Sequence, residues 1–291
     1  MRCIGLHFLA ILAILSLQFI PNHAQTYVYH FCLGVNYTAN STYQANLLVL
    51  LSSISNNTSP NNMFFNKTVG RIPDRAYGLF QCRGDYGADK CKKCAEIAAD
   101  AIMNRCPYSK EAVLFYDECL LHYSDTSFLS TVQYDPAVYL RNTANNSNPN
   151  PFRQKRTELM NRLVAQAVSD NPKLFAIGTD NISSSETIYG LVQCTQDLTQ
   201  SDCRRCLTRG VSELTSCCDN NPGGRTIRPS CSVRYETYDF FEANASTSSP
   251  PPPLPRVTPP ANRNNTTGIS RILGIFPSYR FRLAVFFLYI C

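Results

Sequence analysis

Residues 82–94, CRGDYGADKCKKC, decide the fold, because their three cysteines follow the spacing C-x8-C-x2-C. Residues 194–206, CTQDLTQSDCRRC, have the same spacing 112 residues later. Cys106 and Cys119 recur at the same offset as Cys218 and Cys231. Five cysteines that match at one offset predict two copies of a single domain. The flanking sequences YGLFQ and YGLVQ are repeated as well.

The repeat places one domain in residues 27–130 and the other in residues 135–242, both of ordinary domain size. Each copy shows the same succession of elements. An amphipathic helix is predicted from Tyr43 to Ser55 in the first copy and from Arg156 to Ser169 in the second, followed by a strand that ends at Cys82 or Cys194. A second helix is predicted from Asp89 to Cys106 or from Ser201 to Cys218, with Ser201 as N-cap, and residues 111–124 or 224–240 are rich in strand formers. We therefore expect an α+β fold in which each domain packs two helices on an antiparallel sheet and is crosslinked by disulfides.

The two ends of the chain differ from this pattern. Arg2 precedes a short apolar run, which predicts a signal peptide over residues 1–24. Residues 243–268 are rich in Ser, Thr and Pro and are expected to form an extended linker. Residues 269–291 form a short apolar tail, with about nine unbroken apolar residues after Arg282, where a bilayer span needs about twenty. We expect a truncated membrane segment there, with a lipid-anchor signal as the alternative.

Ten Asn-x-Ser/Thr sequons accompany the predicted signal peptide. Together they predict a secreted, extracellular glycoprotein. The predicted glycosylation sites are Asn36, Asn40, Asn57, Asn66, Asn145, Asn181 and Asn244.

The net charge of +6 comes from the ends of the chain. Six arginines lie in the predicted signal peptide and after residue 250, and without them the chain has 21 basic and 21 acidic residues. No basic patch is predicted, so nucleic acid is not an expected partner.

The repeated cysteines are compatible with zinc binding, thiol redox chemistry or structural disulfides. The predicted mature chain has two histidines, His30 and His122, and neither is duplicated in the other copy. An export signal and six cysteines per domain favour disulfides, so we expect no metal and no small-molecule cofactor.

The cysteine pattern, with Cys32 upstream, resembles the ginkbilobin-homologous domain of land plants. Tandem pairs of that domain form the ectodomains of cysteine-rich receptor-like kinases, the plasmodesmata-located proteins and the cysteine-rich repeat secretory proteins. From the residues alone, fifteen pairings of six cysteines stay open. The resemblance implies the pairs Cys32–Cys106, Cys82–Cys91 and Cys94–Cys119, and in the second copy Cys194–Cys203 and Cys206–Cys231. It also implies an apoplastic location.

The second copy lacks a counterpart of Cys32 and has Cys217 beside Cys218. Neighbouring Cα atoms lie about 3.8 Å apart, below the usual range for a disulfide. We expect these two cysteines to form the most labile bridge in the molecule.

The resemblance also implies a mannose site made of an Asn just after the first cysteine, an Arg and a Glu. The aligned residues of the first copy are Leu33, Val113 and Ser124, so the site is absent there. In the second copy Arg225 and Glu236 match, and Asn145, with Asn142 as the alternative, is the expected third residue. A simpler interpretation is that Arg225 and Glu236 pair across neighbouring strands.

The sequence contains no nucleophile elbow and no kinase catalytic loop or Gly-rich loop, so we expect no enzymatic activity. The expected function is a secreted binding module that recognises a mannose-type glycan or a receptor ectodomain in stress and defence signalling. The alternatives are a mannose-binding antifungal effector and a truncated receptor-like kinase ectodomain.

Overall fold

The computed structural model describes residues 25–57, 63–145, 149–169 and 171–242. The predicted signal peptide, the linker 243–268, the tail 269–291 and the sequon at Asn244 lie outside these residues. The chain divides into two compact units between Leu129 and Ser130. None of the described helices is both long enough and apolar enough to cross a bilayer.

Each unit has the order strand, helix, strand, strand, helix, strand, strand. The elements of the first unit are β1 (Tyr27–Asn36), α1 (Thr42–Asn57), β2 (Phe64–Val69), β3 (Ala76–Cys82), α2 (Ala88–Arg105), β4 (Ser109–Tyr116) and β5 (Cys119–Ser124). Those of the second are β6 (Val138–Arg141), α3 (Pro149–Ala167), β7 (Phe175–Asn181), β8 (Thr187–Cys194), α4 (Gln200–Cys217), β9 (Gly224–Ile227) and β10 (Cys231–Glu236).

The two sheets have the same topology, β1-β4-β5-β3-β2 and β6-β9-β10-β8-β7. All the strand pairs are antiparallel. In each unit the two helices pack on the sheet and bury the main core. The predicted α+β fold, with two helices on an antiparallel sheet in each domain, is confirmed.

The repeated Tyr-Gly-Leu sequence brings the first helix of each unit close to its sheet. An ideal Cβ on Gly78 would lie 2.7 Å from a methyl carbon of Leu50, and one on Gly190 would lie 2.7 Å from a methyl carbon of Leu163. Both distances are shorter than van der Waals contact. Glycine is therefore needed at this position because the helix approaches the strand backbone directly.

Two helix starts differ from the sequence prediction. Helix α3 begins at Pro149 rather than Arg156, and Phe152 in its first turns is fully buried. Arg156 is itself 2 % exposed and lies 5.3 Å above the ring of Tyr235, so a charged residue occupies a core position. The N-cap of α4 is Thr199, whose hydroxyl accepts a hydrogen bond from the backbone N–H of Asp202 at 3.1 Å. The prediction of Ser201 as the cap was wrong, because Ser201 lies within the first turn.

Two disulfides fix the second helix to a pair of strands. Cys91 and Cys94 lie three residues apart on one face of α2, and they bond to Cys82 and Cys119, which stand directly opposite each other on β3 and β5. In the second unit Cys203 and Cys206 of α4 bond in the same way to Cys194 and Cys231, which are also opposite each other. The third bridge of the first unit, Cys32–Cys106, joins β1 to the C-cap of α2.

We predict that the Cys32–Cys106 bridge stabilises the first unit most, because it closes the longest loop. Its sequence separation is 74 residues, against 9 for Cys82–Cys91. Replacing Cys32 and Cys106 by Ser should lower the free energy of unfolding by ~4.5 kcal/mol, and replacing Cys82 and Cys91 by ~2.7 kcal/mol. Denaturant unfolding of the two double variants measures both values. A larger loss from the short loop would contradict this order.

Arg228 forms a buried charge cluster in the second unit. Its side chain has no exposed surface, and it donates hydrogen bonds to Glu213 of α4, to the carbonyl of Tyr134, and to the Tyr139 hydroxyl at 3.1 Å. Arg209 binds the same glutamate at 3.1 Å, but its side chain is 48 % exposed. One carboxylate thus has a buried and an exposed cationic partner.

We predict a large difference between these two arginines. Arg228→Ala should cost about 3 kcal/mol of unfolding free energy, because it opens a cavity and removes a buried partner of Glu213. Arg209→Ala should cost under about 1 kcal/mol, because an exposed ion pair contributes little. Thermal and urea unfolding of both variants test this, and equal losses would show that burial does not decide the contribution.

Candidate functional site

The predicted sugar-binding residues of the second copy lie on the sheet face opposite the helices. Val233 and Tyr235 of β10 are buried in the helix-covered core, so the alternating Arg234 and Glu236 point to the other face. Arg225 of β9 stands directly opposite Arg234 and shares that face. The structure therefore brings Arg225 and Glu236 to one surface of the sheet.

The strand register places Asn142, rather than Asn145, beside these residues. Leu140 stands opposite Arg225, and the backbone N–H of Asn142 donates to the carbonyl of Gly223 at 2.9 Å. Asn142 thus follows the strand position equivalent to Cys32, which Arg141 occupies in this copy. Asn145 is exposed and lies four residues beyond the end of β6.

The carboxylate of Glu236 is held closely by its own domain. Arg234 Nε donates to Glu236 Oε1 at 3.0 Å. The other carboxylate oxygen occupies the space where a side chain would stand on Gly223, so even a methyl group at residue 223 would displace it. Glu236 is only 2 % exposed. Arg234, on the same strand, is thus one partner of Glu236, and the pairing of Arg225 with Glu236 across two strands stays a prediction.

Aromatic residues after β10 hold Arg234. Its guanidinium lies 4.1 Å from the centre of the Phe240 ring, and one of its terminal nitrogens donates to the Tyr238 hydroxyl at 3.1 Å. The ring of Phe241 packs against Tyr189 of β8 at 5.7 Å. A stacked and hydrogen-bonded arginine loses little further entropy when it binds a carboxylate, so the Arg234–Glu236 pair is preorganised.

The first copy has a similar arrangement with different residues. His122, the counterpart of Arg234, lies 3.3 Å from Glu111 Oε1 and stacks on Phe128 at 3.8 Å. Glu111 is the counterpart of Gly223, so the carboxylate comes from the neighbouring strand instead. This difference was not predicted from the sequence, although Glu111 aligns with Gly223 and Glu236 with Ser124. Both copies thus combine a carboxylate, a basic group and an aromatic ring in the sheet.

His30 lies close to the exposed bridge of the first copy. Its ring nitrogen and the sulfurs of Cys32 and Cys106 are all within 4.8 Å of one another. The two sulfurs are bonded to each other, so they offer no thiolate to a metal. His30 Nδ1 lies 2.6 Å from the Tyr27 hydroxyl. The pKa of His30 is lowered by desolvation and by the nearby Arg105 guanidinium. The cluster therefore offers one imidazole and a disulfide rather than a complete metal site.

Cys217 and Cys218 are bonded to each other, with Cα atoms 3.8 Å apart. Cys218 is the C-cap of α4, as Cys106 is of α2, and its sulfur lies 3.7 Å from the carbonyl of Leu140 on β6. The Tyr235 hydroxyl donates to the Cys218 carbonyl at 2.7 Å, and burial raises the pKa of Tyr235 to about 12. The neutral phenol thus holds this helix end without help from the bridge.

We predict that the Cys217–Cys218 bridge is reduced first and that its loss hardly changes stability. A bridge between neighbours closes no loop and so removes almost no entropy from the unfolded chain. Stepwise reduction followed by alkylation and peptide mapping should label these two cysteines before any other. The double variant Cys217→Ser/Cys218→Ser should unfold within about 0.5 kcal/mol of the parent, which is the size of an ordinary surface substitution. Labelling of Cys82 or Cys194 first would contradict the prediction.

A family model described as salt stress response/antifungal matches residues 31–126 and 140–238. An antimicrobial ginkbilobin-2-like protein of Castanea crenata is 41% identical over 231 residues, which are 79% of this chain and 95% of that protein. Cysteine-rich repeat secretory protein 38 of Arabidopsis thaliana is 37% identical, over 83% of this chain and 97% of that protein. Cysteine-rich receptor-like protein kinase 25 of Arabidopsis thaliana is 41% identical over 81% of this chain, which spans only 36% of the kinase.

Among solved structures, the tandem DUF26 ectodomain of the Arabidopsis thaliana cysteine-rich receptor-like protein PDLP8 is similar to this chain. The TM-score is 0.67 and the identity 25%, over 74% of this chain and 100% of that one. The similarity covers the whole of that ectodomain, so the same repeated architecture is present in both.

Proposed function

The chain belongs to the salt stress response/antifungal family, and from this membership we propose that it is an exported, non-enzymatic module that binds a partner at the cell surface. The resemblance inferred from the cysteine spacing is thereby confirmed. The chain is a cysteine-rich, disulfide-bonded repeat protein, related both to an antimicrobial protein and to receptor ectodomains.

The way relatives use this unit supports a recognition role. The same tandem unit accounts for 95% and 97% of two small relatives and for 36% of a receptor-like kinase. A unit that occurs both alone and joined to a kinase is expected to contribute recognition, which is useful in both settings.

The observation that carries the choice of a protein partner over a sugar is the burial of Glu236. A sugar hydroxyl must reach the carboxylate, but Glu236 is 2 % exposed and bound to Arg234 at 3.0 Å. Displacing a preorganised buried ion pair costs several kcal/mol, which a single sugar ring cannot easily repay. Partner binding through the exposed surface needs no such opening.

A mannose-type glycan is the second candidate ligand. Arg225 and Glu236 share one sheet face and Asn142 directly follows the neighbouring strand β6, so the three residues supply both donors and acceptors for sugar hydroxyls. The antimicrobial relative, at 41% identity, is consistent with this candidate. The same face would then open locally to admit the sugar.

Export to the apoplast is part of the proposal. Each predicted glycosylation site that the structure describes has an exposed asparagine: Asn36, Asn40, Asn57, Asn66, Asn145 and Asn181. An exposed sequon is accessible to the glycosylation machinery of the secretory pathway. The cysteine-rich repeat secretory protein among the relatives agrees with this location.

The two candidate ligands can be separated with one set of variants. We expect calorimetric titration with methyl mannoside to give no saturable heat, and immobilised ectodomains of cysteine-rich receptor-like kinases to give saturable binding. Arg225→Ala should leave that binding within about twofold of the parent, because the proposed protein contact does not use the sheet face that carries Arg225 and Glu236. The matched control is Arg205→Ala, because Arg205 lies on α4 and its side chain is 66% exposed.

Saturable heat with mannoside would overturn this choice if Arg225→Ala and Gly223→Ala abolished it while Arg205→Ala retained it. Gly223→Ala is informative because its methyl group would displace the Glu236 carboxylate. Inhibition of fungal growth that is reversed by mannose would then assign the antifungal role.

A further inference from the structure

The edges of the two sheets are potential pairing surfaces. Among the described strands, β1 and β2 end the first sheet, and β6 and β7 end the second. Each of these strands uses one side of its backbone for its own sheet. The other side can pair with a strand from another molecule unless something blocks it.

Strand β1 is the edge most suited to such pairing. Its sequence, YVYHFCLGVN, has ten residues without a charge or a proline and is rich in aromatic and branched side chains. Val35 on this strand is 68% exposed. The other edges are less suited, because β2 carries Lys67, β7 carries Asp180, and β6 has only four residues.

The three longer edge strands each carry a sequon. Asn36 is the last residue of β1, Asn66 lies within β2, and Asn181 is the last residue of β7. All three asparagines are exposed, and so are the hydroxyl residues that complete their sequons: Thr38, Thr68 and Ser183. None of the three sequons lies on an inner strand of either sheet.

We propose that N-glycans on Asn36, Asn66 and Asn181 shield the sheet edges against pairing with a second copy of this chain, and that the glycan on Asn36 matters most. The inference rests on the proposed export, since N-glycans are added in the secretory pathway. A paired strand must approach to about 4.8 Å, and a branched sugar at the edge occupies that space. The glycan thus does for β1 what charged residues do for other edges.

The first experiment compares glycosylated protein with two matched triple variants. Asn36→Gln/Asn66→Gln/Asn181→Gln removes the edge sequons, and Asn40→Gln/Asn56→Gln/Asn57→Gln removes three sequons outside the sheets. Glycopeptide mapping should find Asn36 occupied in the parent, and light scattering after gel filtration should find dimers or larger species only in the edge variant. An unoccupied Asn36, or equal association of the two variants, would overturn the proposal.

The second experiment distinguishes strand pairing from a general loss of solubility. In the Asn36→Gln background, Val35→Lys places a charge on the edge, whereas Val49→Lys places the same charge on α1, where Val49 is 52% exposed. Only Val35→Lys should restore the monomer. Rescue by both would show that association does not use the edge.

If the edge variant is not secreted, a third measurement tests the proposal on the parent protein. Trimming the glycans of the folded parent protein to a single sugar should produce the same association as the edge variant, and no association would overturn the proposal. The measurements use no ligand, so failure of receptor or mannose binding is distinguishable from failure of this inference.

Discussion

The structure depends on two disulfides that join one face of a helix to two cysteines standing opposite each other on paired strands. Cys91 and Cys94 reach Cys82 and Cys119, so the helix, the end of β3 and the start of β5 become one covalent unit. A slip of one residue between the two strands would turn side chains to the other face and break this match. The bridges therefore specify strand register as well as stability, and the rest of each sheet extends from the fixed pair.

The two copies satisfy the same architecture with different chemistry. The first copy has the Cys32–Cys106 bridge. At the equivalent positions the second copy has Arg141 and Cys218, and Cys218 is bonded to Cys217. Buried arginines occupy other places in the second copy: Arg228, the counterpart of Tyr116, joins α4 to the segment around Tyr134. The first copy also has a buried ion pair, Arg83 with Asp85, so buried charge accompanies the disulfides in both copies. Glu236, buried beside Arg234, is a further charged group of this kind in the second copy.

The amount that could be predicted from sequence differs between elements. The cysteine spacing and the apolar periodicity of α1 predicted the repeat, the helices and the α+β fold. Strands β1, β2, β6 and β7 were missed, because most of their residues are half-buried or exposed and their sequences therefore lack a clear alternation of apolar and polar residues. The choice between Asn142 and Asn145 needed the strand register, since Cys32 and Arg141 are 109 residues apart whereas the cysteine repeat has an offset of 112. Burial of Arg156 and Glu236 could not be predicted, because both residues are usually exposed.

The unequal bridging of the two copies has a mechanical consequence. In the first copy the Cys32–Cys106 bridge bypasses the chain between these two residues, so tension applied to the ends of the chain cannot draw out most of residues 32–119 without breaking a covalent bond. In the second copy the bridges that span more than one residue lie within 194–231, and β6, α3 and β7 precede all of them. At roughly 3.3 to 3.6 Å for each extended residue, that preceding segment is the longest unbridged part of the two domains that a pulling force can draw out. Under tension the second copy would therefore lengthen at its start, whereas the first copy is held by its long bridge.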